Sequence, residues 1–126
     1  MIKLSTWNIC LGLKNKKDYI YQVIDEKGID VCLLQEVEID KDYDANLLTK
    51  GQFKIEVEKN KVKARVAILI KDNIDYERRR DLEAEDLGIV IIDLNGINKF
   101  RVINLYRSFN PNNNMPPCNS STHNYK

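Results

Sequence analysis

Apolar side chains in this chain fall in short runs with two different spacings. Residues 2–8 and Ile29–Glu36 are strand-like runs that each finish in polar groups, Asn8 on one and Gln35-Glu36 on the other. Between them, Tyr19, Ile20, Val23 and Ile24 recur at helical spacing, which predicts an amphipathic helix from Asn15 to Lys27 with Asn15 as its N-cap. Gly28 stands just past its end, the position where a left-handed residue closes a helix. A helix of that length joins neighbouring strands and brings Asn8 and Glu36 to the same sheet edge. Val31 to Leu34 shows no alternation, as expected of a central strand covered on both faces.

Further on, Phe53–Glu58 alternates apolar and charged residues, predicting a strand with one wet face. Ala64–Ile70 reads as a more buried strand that pairs with it as a hairpin. Residues 72–86 are charge-rich and read as irregular. Gly88–Leu94 and Lys99–Tyr106 flank Asn95-Gly96-Ile97-Asn98, a hairpin signal. One helix among six strand candidates predicts an α/β fold with a mixed, largely antiparallel sheet and a flanking helix. Past Pro111 the chain turns polar and loses periodicity, so residues 1–111 are expected to form the structured part and 112–126 a disordered tail.

The chemistry lies at three strand ends. Trp7-Asn8-Ile9, Leu33-Leu34-Gln35-Glu36, and Asn104-Leu105-Tyr106 with Asn110-Pro111 together resemble the endonuclease/exonuclease/phosphatase family. The similarity is nearest to the endonuclease domains of non-LTR retrotransposons, carried by the run from Val102 to Pro111. It implies the N-terminal half of a four-layer α/β sandwich and a Mg²⁺-dependent phosphodiester hydrolase, with Mn²⁺ as the substitute ion. On that resemblance Glu36 is the metal ligand. Asn8 orients the metal or a neighbouring side chain, and the Tyr106 phenol bonds the phosphate. Arg107 and Asn110 contact the substrate, with DNA ahead of RNA. Read without the family, Glu36 is an exposed strand-end residue, Asn8 a turn former, Tyr106 a sheet aromatic and Asn110 the start of an Asn-Pro turn. Arg65 and Arg107 are open to either reading, phosphate contact or surface charge.

Two departures qualify the resemblance. Cys10 occupies the position two after Asn8 where many members carry an acid. The family's downstream Asp-x-Asn and terminal Ser-Asp-His motifs are absent, and His123, the single histidine, reads as a tail residue. The expectation is therefore a truncated domain with weak activity or none in isolation. The alternative is a catalytically dead remnant that binds nucleic acid or protein, and a chain supplying the missing half-domain is a possible partner.

Composition changes this picture little. A 43% hydrophobic fraction over 126 residues allows a real core. Twenty basic against nineteen acidic residues leave a formal charge of +1, which neither supports nor opposes a nucleic-acid partner. The runs Lys14–Lys17 and Glu77–Arg80 read as solvated surface. Three cysteines without metal-ligand spacing make a disulfide framework improbable and fit a reducing compartment, nucleus or cytoplasm. No run is long enough to span a membrane, so no membrane partner is expected.

Overall fold

The computed structural model describes residues 2–10, 12–41, 43, 45, 49, 51–59, 62–84, 87–96 and 99–106. The expectations for Arg107, Asn110, His123 and the segment 112–126 lie outside them.

Strand β1 (Leu4–Asn8) leads into helix α1 (Leu13–Lys27) and returns as β2 (Val31–Asp40), which pairs with β1 in parallel. Strands β3 (Phe53–Val57) and β4 (Lys63–Lys71) form the expected hairpin, and β4 lies antiparallel to β2. The first sheet has the order β1-β2-β4-β3. The second has the order β5-β6-β7, from β5 (Tyr76–Arg78), β6 (Gly88–Leu94) and β7 (Phe100–Tyr106), with both pairings antiparallel. The architecture is mixed α/β with two sheets, mostly antiparallel strands and one helix, in keeping with the first half of the sandwich that the resemblance implies.

Two apolar layers hold it. Helix α1 buries Leu13, Ile20 and Ile24 against Cys32, Leu34, Ile55 and Leu69 on the outer face of the first sheet. Between the sheets, Val31, Val66, Ile68 and Ile70 meet Val90, Ile92, Leu94 and Val102. Strand β2 contributes to both layers, which explains its unbroken apolar run: neighbouring residues point to opposite faces and neither face is wet. The sheets are also joined by a buried polar clamp. Asn104, only 2% exposed, donates from Nδ2 to the carbonyls of Leu34 (3.0 Å) and Ala67 (2.9 Å). Its Oδ1 accepts from Gln35 Nε2 at 2.9 Å. A carboxamide with donors and acceptor all used can sit in an apolar interface without an unpaired group.

Several elements differ from the sequence reading. The helix begins at Leu13 rather than after Asn15, because the fully buried Leu13 anchors its first turn and Gly12, at φ 104°, redirects the backbone into it. Tyr19 is mostly exposed and meets Trp7 edge-on, instead of lying on the buried stripe. Gly28 does close the helix in the left-handed conformation, at φ 64°. Residues 72–86 are not wholly irregular: they contain β5 and a 3-10 turn, Arg80–Leu82. The Arg78 side chain is 8% exposed, bonded to Glu83 and Glu56, so it is not solvated surface. Nor is Lys16 a free surface charge, since its Nζ donates to the carbonyls of Ile9 and Cys10, both at 2.6 Å. Cys10 is disulfide-bonded, against the expectation of reduced cysteines from which a reducing compartment was read, and Cys32 is a free, buried thiol.

Candidate active site

The parallel register pairs Asn8 with Gln35, so β1 ends beside the middle of β2, which runs on to Asp40 rather than stopping at Glu36 as expected. Backbone bonds to β2 continue past the end of β1, from Ile9 N to Gln35 O (3.1 Å) and from Gly12 N to Glu36 O (3.0 Å). Lys16 holds the two carbonyls of the turn that follows Asn8. The exit of β1 is therefore tied down by both the sheet and the helix.

Immediately after Gln35, β2 breaks register. Gln35 pairs with Val66 and Ile39 with Ala64, so Glu36, Val37 and Glu38 stand opposite the single residue Arg65. Such a bulge re-aims side chains beside sheet edges. Glu36 and Glu38 take it up by adopting left-handed backbone, φ 61° and 51°, and Cys10 on the facing turn does the same at 64°. Each such non-glycine residue costs on the order of 1–2 kcal/mol. Strain of this kind persists where surrounding bonds over-determine the geometry, and it clusters at functional sites.

The bulge places the Glu36 carboxylate, 7% exposed, between the two sheets' ends. Its Oε2 accepts from Asn8 Nδ2 at 2.8 Å and from the Tyr106 hydroxyl at 3.3 Å. Asn8 meanwhile accepts from Cys10 N through Oδ1 at 3.0 Å. It is thus the turn former and the partner of Glu36 at once, because the two roles use different atoms of one carboxamide. Tyr106 arrives from the second sheet, 70 residues along the chain. Asn8, Glu36 and Tyr106 converge.

Of the rest of the shell, the sequence offered Arg65 as a phosphate contact or a surface charge and did not offer Glu38 or Glu58. Arg65 pairs its Nε with Glu38 and donates from Nη2 to the Tyr106 hydroxyl at 3.4 Å. Its guanidinium also lies over the Tyr106 ring, 5.3 Å from the centroid. Glu58, 7% exposed, takes the Arg65 backbone N–H on Oε1 at 2.5 Å, a donor that the bulge leaves without a ladder partner. Only the alternation of Phe53–Glu58 hinted at Glu58, and alternation marked it as wet. Glu38 carried no signal, since its role depends on a break in register.

Among the described residues no three His, Cys, Asp or Glu side chains gather to hold a metal. The donor set at the bulge is one carboxylate, Glu36, oriented by one carboxamide, Asn8, with Glu38 engaged by Arg65. That set fits Mg²⁺, which keeps most of its waters and takes one or two protein carboxylates; it does not fit a metal that needs a full cage of side chains. No helix among the described residues is long and apolar enough to cross a membrane.

A two-sheet α/β scaffold with its polar groups gathered where strands end is the class of fold that places chemistry at a sheet rim. The model of the endonuclease/exonuclease/phosphatase family matches residues 5–125, and the chain belongs to that family. The family is one of metal-dependent phosphodiester hydrolases, whose members typically act on nucleic acids. No curated protein matches the chain.

Proposed function

We propose that the chain is an endonuclease-type, Mg²⁺-dependent phosphodiester hydrolase by descent, nearest to the endonucleases of non-LTR retrotransposons, and acting on DNA rather than RNA. The observation that carries this reading is the meeting of Asn8 and Tyr106 on one oxygen of a buried, bulge-held Glu36. Glu36 would hold the Mg²⁺, which when bound supplies charge neutralisation on the phosphate and a more acidic water. Asn8 keeps the carboxylate turned toward the site. The Tyr106 hydroxyl, once a substrate displaces its bond to Glu36, donates to a non-bridging phosphate oxygen. Arg107 and Asn110, which come after β7 in the sequence, are the further candidates for substrate contact.

Residues 1–111 are read as part of the family's domain and 112–126 as a tail. The second reading is a catalytically dead remnant that binds nucleic acid or protein. Plasmid nicking by the purified chain, with and without Mg²⁺, tests both. Slow nicking that disappears with EDTA and in Glu36→Ala supports the hydrolase. Nicking equal in wild type and Glu36→Ala removes Glu36 from the site, and none in either leaves the binding remnant.

A further inference from the structure

One cation at the site has no role in the chemistry above. Arg65 is the single β4 residue facing the β2 bulge, and its neighbours fix it on three sides: Glu58 on its N–H, Glu38 on Nε, and Tyr106 beneath its guanidinium. A guanidinium carries five N–H donors in a planar fork. One donates to the Tyr106 hydroxyl, Nε meets Glu38 as an ion pair, and no other side-chain hydrogen bond joins Arg65 to the described residues. The side chain is 33% exposed, so the remaining edge is open to a ligand.

We infer that Arg65 is a phosphate-anchoring residue, which with the Tyr106 hydroxyl clamps a nucleic-acid phosphate beside Glu36. The inference rests on the phosphodiester reading of the site and deepens it. Balancing the charge of Glu38 would need only a point charge, which lysine supplies. Stacking on an aromatic face while bonding that ring's own hydroxyl sets the plane of the fork, and this is what recognition of phosphate requires. Glu38 holds that plane when no phosphate is present. With phosphate bound, Glu38, Arg65 and the phosphate form a row of alternating charge, so the anion enters a site whose cation is already oriented. The hydroxyl of Tyr106 is aligned by the same contact, which makes Arg65 a positioning residue for Tyr106 as well.

A phosphate contact has a signature that a purely structural arginine lacks: it changes the salt dependence of binding. The test is anisotropy of a short fluorescein-labelled DNA duplex in EDTA, across a series of NaCl concentrations. Arg65→Gln is expected to weaken binding on every sequence tried and to lower the slope of log affinity against log salt by about 1. Arg65→Lys is expected to retain the slope. Equal slopes for wild type and Arg65→Gln would overturn the inference while leaving the nuclease reading in place. A wild type with no salt-dependent binding would remove both. Phenylglyoxal labelling of the unmutated protein needs no variant to fold: duplex is expected to slow modification of Arg65, and an unchanged rate would count against the anchor.

Discussion

Glu83 shows how far single residues depart from what their type suggests. Its two carboxylate oxygens take Arg78 Nε (2.6 Å) and Nη2 (2.9 Å), and Oε2 also accepts from Ile91 N at 2.8 Å. Burial pushes its pKa up, but the Arg78 bonds and the Ile91 N–H outweigh this and hold it below the usual carboxylate value. Because the folded value is depressed, the stabilisation is full above the unfolded value, about 4.3, and is lost as pH falls through the folded one. Removing one partner of a buried pair costs about 3 kcal/mol. Urea midpoints of Glu83→Gln should therefore lie well below wild type at pH 7, with the gap closing below about pH 4. A gap that is constant with pH would mean that the ion pair contributes nothing. Asp93 behaves alike at the surface, where hydrogen bonds from Arg101 and Arg79 lower it to about 2. At the site, Asn8 and Tyr106 were legible because each ends a strand, whereas Glu36, expected at a strand end, lies at a bulge within β2, which runs on to Asp40. The roles of Glu38 and Glu58 were not legible, because both answer a bulge that no local pattern announces.

At the scale of elements, β6 and β7 hold the site from behind. Gly88 pairs with Tyr106, and a Cβ on it would lie 2.9 Å from the Tyr106 carbonyl oxygen and 3.5 Å from Glu58 Oε2. Neither neighbour yields easily: one is backbone and the other is a buried carboxylate bonded to Arg65 N. Gly88→Ala is expected to cost about 1–3 kcal/mol by overpacking. It should also shift the Tyr106 ring signals by NMR, whereas the same substitution at Gly96, where nothing lies within 4 Å, should leave them in place. Unchanged Tyr106 signals in Gly88→Ala would show that β6 does not position the ring. The strand-helix-strand unit and both hairpins were readable from periodicity. Strand β5 was missed, since three residues, Tyr-Glu-Arg, are too few to show alternation and too polar to suggest burial.

For the whole molecule, the second sheet is the uneven part. Its inner face carries the core, but on β7 Ile103 and Leu105 are 52% and 56% exposed. Exposed apolar residues on a strand that has one neighbour among the described residues favour association. Light scattering should show mass rising with concentration for wild type, and less so for Ile103→Lys/Leu105→Lys. A wild type that stays monomeric at all concentrations would rule this out. The inter-sheet clamp at Asn104 sets the opposite limit: it ties the sheets through Leu34, Gln35 and Ala67, so loss of the second sheet would uncover polar as well as apolar groups.

By itself the sequence determined the helix and the longer strands, the two-faced burial of β2, the helix stop at Gly28 and the strand ends that carry Asn8 and Tyr106. Those follow from local rules of side-chain period, turn geometry and buried runs, which act within a few residues. Tertiary structure alone decided that β2 breaks register against Arg65, that Glu36 and Glu38 take left-handed backbone, and that Arg65 lies on Tyr106. These are pairings across dozens of residues, set by how two sheets fit together, and no window along the chain contains both partners.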